Sequence, residues 1–159
     1  MPPITIRPLQ PEDLDTLHTI HTRAIREACA KDYAPDVIAV WAASRSPQNY
    51  IRAQSKGETF HVATDANNQP LGFCSWKAGE FTCLYINPDH HGQRIGTALI
   101  RTAEAAADAA GTPLTYVEST LTAQKFYERH GYTKTGTGLS TIGGKETHIP
   151  YVAMRKIPQ

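Results

Sequence analysis

"EFTCLYINPDHHGQRIGTALI" (80–100) carries the reading of this chain. Its first part reads as a strand that ends at Pro88. A loop follows, then a helix expected from about Gly92 to Ala110, with Ile95, Leu99, Ala103, Ala106 and Ala110 on one face and Gly111 as its stop. The first turn of any helix presents unpaired N–H groups and a partial positive charge, which Asp or Glu commonly neutralises. Here no acid lies between His91 and Ala103, and Arg94 and Arg101 are present instead. Gly92 and Gly96 let another group approach the backbone. These features favour a bound anion such as phosphate. A helix that starts with glycine and arginine for no ligand's sake is the alternative this stretch leaves open. It is neither a Walker loop, lacking Gly-Lys-Ser/Thr, nor a dinucleotide fingerprint, lacking Gly-x-Gly-x-x-Gly.

Outward from this junction, "ITIRPL" (4–9) reads as a first strand and 10–29 as a helix with Leu14, Leu17, Ile20, Ala24 and Ala28 on its apolar face. Residues 34–57 hold two shorter helical pieces broken at Ser46-Pro47. "TFHVATD", "PLGFCSWKAG" and "EFTCLYIN" form an expected antiparallel meander. After the long helix come a strand in "TPLTYVES", a short helix in "LTAQKFYERHG", and strands in "YTKTGTG" and "HIPYVAMRKI". With the two short pieces counted together, the order is β-α-α-β-β-β-α-β-α-β-β.

The 159 residues suffice for one domain with a core, and residues 1–159 are read as a single domain. A net charge of +1 without basic runs argues against a large nucleic-acid footprint, so no nucleic acid is expected. The N-terminal stretch does not read as a signal peptide, and the longest apolar run, "VIAVWAA", is too short to span a bilayer. A cytoplasmic protein with no membrane contact is the expectation. Cys29, Cys74 and Cys83 lack zinc-site spacing and read as buried free thiols. No metal is expected, and the His18/His21 pair reads as surface or partly buried.

"LYINPDHHGQRIGTALI" with "STLTAQKFYERHGY" (119–132) resembles the GNAT superfamily of acyl-CoA-dependent N-acetyltransferases. The first stretch is similar to that family's Arg/Gln-x-x-Gly-x-Gly/Ala pyrophosphate loop. The second is similar to its Asn-x-x-Ala-x-x-(aromatic or Leu)-Tyr-x-x-x-Gly-Phe helix. The resemblance implies a mixed α/β (α+β) fold, with a mostly antiparallel sheet splayed around the cofactor and helices on both faces. It implies acetyl-CoA as co-substrate and direct acetyl transfer to an amine in a ternary complex. A longer acyl-CoA, a non-catalytic acyl-CoA sensor and, against the near-neutral charge, an aminoacyl-tRNA-acetylating toxin are the rival readings. The resemblance also admits a homodimer.

By position, His91 stands at the family's Arg/Gln, Arg94 at its first Gly and Gly96 at its second. Arg94 is expected in ordinary helical geometry, free of strain. The resemblance implies cofactor binding by Leu84, Tyr85, Ile86, His91, Gly92, Gln93, Arg94, Ile95, Gly96, Thr97, Ala98, Thr120 and Tyr127. It makes Tyr127 the general acid near the CoA sulfur, and Glu80 the general base. Strand periodicity puts Glu80, Thr82, Leu84 and Ile86 on one face unless a bulge intervenes. The acceptor pocket falls to 29–44 and 136–151, with Tyr33, Trp41, Trp76 and Tyr151 as candidate walls and Asp32 and Asp36 as candidate amine partners. His61 and His148 are weaker cleft candidates, and Cys83 a weak candidate nucleophile. Gly136, Gly138, Gly143 and Gly144 suit a lid or a plain hairpin tip.

Overall fold

The computed structural model describes residues 3–142 and 147–157. Strands β1 (Thr5–Pro8), β2 (Thr59–Thr64), β3 (Pro70–Lys77), β4 (Glu80–Ile86), β5 (Tyr116–Thr120), β6 (Thr133–Thr141) and β7 (His148–Arg155) form one sheet in the order β1-β2-β3-β4-β5-β7-β6. Only the β4–β5 pairing is parallel. Tight turns produce the β2–β3–β4 meander, with Asn68 at φ 62° in one and Ala78 and Gly79 at φ 49° and 83° in the next.

Helix α1 (Leu14–Arg23) runs into a single π turn (Ala24–Ala28), and α2 (Pro35–Ala43) and α3 (Gln48–Ser55) follow. The long helix α4 (Ile95–Ala109) and short α5 (Gln124–Arg129) complete the set. On one side of the sheet, α4 buries Ile95, Leu99, Ile100, Ala103 and Ala107 against Phe81, Val117 and Met154. On the other, Leu17, Ile20 and Tyr50 pack on Phe60, Val62 and Phe73. A third cluster joins α2 and the π turn to β7 through Ile25, Tyr33, Trp41 and Ile149. The buried face of α4 includes Ile100 and Ala107, whereas Ala106 is half-buried and Ala110 is exposed. The stripe is wider and ends earlier than the single i, i+4 row suggested, because a sheet-packing helix needs a broad apolar face.

Two departures from regular sheet geometry create the space for function. Strands β4 and β5 pair only at Glu80–Tyr116 and Phe81–Val117 and then part, leaving one edge of β4 unpaired by β5 from Thr82 to Ile86. The β3–β4 register also shifts, with Ser75 opposite Cys83 but Trp76 opposite Phe81, so Thr82 is the extra residue of a β-bulge.

Gly136 and Gly138 belong to β6 itself, so neither forms a lid. A side chain at Gly138 would collide with the Tyr151 ring, which crosses the strand there. Gly143 and Gly144 lie outside the described residues.

Candidate active site

The α4 entrance is tighter than a simple helix start. A short 3-10 turn (Pro88–His90) follows β4, Gly92 takes φ 81°, and α4 begins at Ile95 rather than Gly92. Arg94 is the N-cap, and its φ 61°, ψ 21° lie in the left-handed region. The expected helical geometry at Arg94 is therefore wrong. Gly92 and Arg94, both at positive φ, turn the chain from the 3-10 turn into α4. Arg94 offers no side-chain cap to the first-turn amides, and no acid lies in that turn. Gly96 has a packing reason: a Cβ there would sit 3.2 Å from the Phe126 ring. The loop is tied back to the body by Arg23, which donates to Asp89 at 3.0 and 3.1 Å, to Asn87 at 3.2 Å, and to Glu27.

These amides face a cavity of about 430 Å³ in the β4–β5 splay. Of the residues expected at a cofactor site, Leu84, Tyr85, Ile86, His91, Gly92, Arg94, Ile95, Gly96, Thr97 and Thr120 line it. Gln93, Ala98 and Tyr127 do not. The Gln93 side chain instead pairs with His90 (3.3 Å), and the Ala98 amide already donates to the Arg94 carbonyl (3.1 Å). Sequence reasoning missed Ala24, Ala28 and Cys29 from the π turn and its end, His90 from the 3-10 turn, and Thr122, Ala123, Phe126, Arg129 and His130 from α5 and its flanks. The π turn carried no visible signal. The helical spacing of Ala123, Phe126 and His130 is the signal that could have found this face of α5.

A second cavity of about 300 Å³ adjoins the first along β4, and Tyr85 and Thr120 line both. Tyr33, Trp41 and Tyr151 line this cavity. Tyr33 is fixed by donating to the Pro150 carbonyl and accepting from the Leu121 amide, both at 2.9 Å. Trp76 does not reach this space: the alternation of β3 sends it into the α4-side core, where its indole N–H donates to His61 at 3.0 Å. His61 is likewise absent from both linings. Asp32 is exposed and accepts from Thr122 (2.7 Å), Asp36 is exposed on α2, and His148 is exposed beside Thr141 (3.4 Å). None of the three lines either cavity.

The bulge reassigns Glu80. Leu84 and Ile86 pack toward α4, Glu80, Thr82, Cys83 and Tyr85 line the second cavity, and Phe81 does both. Glu80 thus shares its space with Tyr85, not with Leu84 and Ile86. Burial first, then Glu118 and Glu58, raise the Glu80 carboxyl above its usual range. Burial pushes the Cys83 thiol up to about 11, which leaves it protonated and a poor nucleophile at neutral pH.

Tyr127 is buried against Phe81, Phe126 and Tyr132, with ring centroids 5.3–6.2 Å away. Burial raises its phenol well above the ordinary value, with smaller contributions from Cys74, Tyr132 and Cys83. His21, which lines the second cavity, is buried rather than surface or partly buried as its spacing with His18 suggested; its ring lies tilted against Tyr85 with centroids 4.1 Å apart, and its Nδ1 lies 3.0 Å from the Tyr50 hydroxyl. Burial holds His21 neutral, with its pKa lowered to about 3.

A family model of the acetyltransferase (GNAT) domain matches residues 56–134. The uncharacterized N-acetyltransferase YafP of Escherichia coli (strain K12) is 30% identical over 129 residues, 81% of each chain. The chain belongs to the GNAT family of acetyltransferases. A GCN5-related N-acetyltransferase from Rhodopseudomonas palustris superposes on this GNAT chain with a TM-score of 0.86 at 28% identity, over 98% of this chain and 95% of that one. The PaiA N-acetyltransferase of Thermoplasma acidophilum, solved with coenzyme A, shares the fold at TM-score 0.75 and 22% identity, over 98% and 99%. Among the described residues, no helix is long and apolar enough to cross a membrane.

Proposed function

We propose that this GNAT enzyme transfers an acetyl group from acetyl-CoA to the primary amine of a small acceptor, directly and within a ternary complex. The observation that carries this reading is the pair of adjoining cavities along β4, which share Tyr85 and Thr120. The first has the donor set an acyl-CoA needs. The open amides at the start of α4, with Arg94 and Arg129 beside them, suit a pyrophosphate, and no acid lines that cavity. The unpaired edge of β4 offers backbone groups to an extended amide-bearing arm, as an added strand would use them. Acetyl-CoA supplies an activated thioester, and the protein's residues supply position and proton transfer.

Glu80 is the base in this scheme. Its raised carboxyl is a better proton acceptor than an ordinary glutamate, and it lies in the cavity where the amine would enter. Tyr127 is the acid in this scheme: it lines neither cavity, so giving its proton to the departing thiolate requires its ring to turn toward the first cavity when the cofactor binds, and burial makes it a weaker acid than an ordinary tyrosine. Its hydroxyl has no hydrogen-bond partner among the described residues, nor is it a sealed, unsatisfied group, which leaves it available for that role. Thiol release from acetyl-CoA across an amine panel tests the reading, together with titration of coenzyme A. Turnover with at least one amine is expected, and Tyr127→Phe should lower kcat on the order of 10²-fold. Coenzyme A binding without turnover of any amine would favour a sensor.

A further inference from the structure

The second cavity contains a cation that the acetyl-transfer scheme does not use. Arg45 follows α2 and lines this cavity with His21, Cys83 and Tyr85. The chain holds it firmly. Its amide donates to the Ala42 carbonyl at 3.3 Å, and its carbonyl lies 3.1 Å from His18 Nε2. Its Nε donates to Ser44 Oγ at 3.2 Å, and Ser44 in turn donates to the Trp41 carbonyl at 2.6 Å. The two terminal nitrogens make no hydrogen bond and no ion pair among the described residues. Neither is a sealed, unsatisfied group, so the half-buried guanidinium keeps its outer edge open. Its charge is felt at Tyr50, Tyr85 and Cys83, where it opposes the rise that burial causes.

From this geometry we infer that the acceptor is an amino-acid-like molecule, whose carboxylate is held by Arg45 while its amine is presented to Glu80. The inference rests on the acetyltransferase reading and names the substrate class of the same site. A guanidinium tethered through Nε presents a planar edge that matches a carboxylate with two parallel hydrogen bonds. Glu80 and Glu118 line the same cavity and supply the charge that attracts an ammonium group. The lining thus carries both signs, with aromatic walls at Tyr33 and Trp41. A polyamine, cationic at both ends, would meet Arg45 with like charge. A cavity of about 300 Å³ is at the small end of ligand sites, which suits a single amino acid.

The test uses the full chain and two matched pairs: L-methionine with 3-(methylthio)propylamine, and L-tyrosine with tyramine. For each, kcat/KM is measured by thiol release from acetyl-CoA in the wild type, Arg45→Met and Arg45→Lys. The preference of wild type for the acid over its decarboxylated partner, divided by that of the variant, cancels the different basicities of the amines. That quotient should be about 10- to 100-fold for Arg45→Met, the range of a charged hydrogen-bonded contact, and smaller for Arg45→Lys. The acetyl-CoA KM reports whether each variant keeps its donor site. A quotient near one, or a polyamine such as spermidine outpacing both acids in the wild type, overturns the inference and leaves the acetyltransferase reading standing. Absence of turnover with every amine, together with absence of coenzyme A binding, overturns both.

Discussion

Replacing Arg94 with glycine separates two effects that the structure superimposes at one residue. Arg94 sits at φ 61°, ψ 21°, where a side chain costs about 1–2 kcal/mol relative to ordinary backbone. Glycine removes that cost but adds about 0.4–1 kcal/mol of unfolded-state freedom. Arg94→Gly should therefore raise stability by about 0.5–1 kcal/mol, or roughly 1–4 °C in Tm for a chain of this size. Arg94→Ala keeps the backbone strain and loses only the guanidinium, so it is the control. Thermal unfolding should order the variants Gly above Ala, with Ala close to wild type. Coenzyme A titration reads the second effect, because Arg94 lines the cavity beside the α4 amides. Both variants should weaken binding by a similar 2- to 5-fold, as expected for an exposed charge contact, and both should flatten its salt dependence. A glycine variant no more stable than the alanine one would refute the left-handed assignment. Unchanged affinity in both would show that the guanidinium faces solvent and contributes nothing to anion binding.

Other perturbations address the remaining parts of the site. Glu80→Gln should lower kcat by about 10²- to 10⁴-fold and remove the acid limb of the kcat/KM profile, which in the wild type lies above the usual carboxylate range because burial raises Glu80; an unchanged profile places the base elsewhere. His21 is neutral when folded down to about pH 3 but protonates near 6.5 when unfolded. The unfolded chain therefore binds the extra proton between these values, and His21 makes stability fall as pH drops from about 6.5, with a slope approaching 1.4 kcal/mol per pH unit. Chemical denaturation of His21→Gln from pH 7 to 4 should show a shallower decline than the wild type, and parallel curves would reject the assignment. Arg23→Met should raise the acetyl-CoA KM several-fold with little change in kcat, since Arg23 ties the loop through Asp89 and Asn87 but touches neither cavity; a fall in kcat alone would contradict a loop-positioning role.

Much of this molecule was legible in residue order because its signals are local. Alternation in 59–65, helical spacing from Ile95 and turn residues at Asn68 and Gly79 each act within a few neighbours. So does the acid-free start of α4, which pointed to an anion site before any fold was known. What periodicity could not show depends on where the chain meets itself. The extra residue at Thr82 turns Glu80 toward Tyr85, and only the β3–β4 register reveals it. Trp76 has the size and character of a pocket wall, but strand parity places it in the α4-side core. Arg94 is left-handed because, with Gly92, it turns the chain from the 3-10 turn beside the π turn into α4, which packs on the sheet. The splay of β4 from β5 and the open edge of Arg45 arise in the same way. Pairing and burial across distant segments decide them, and no single stretch of the sequence encodes either one.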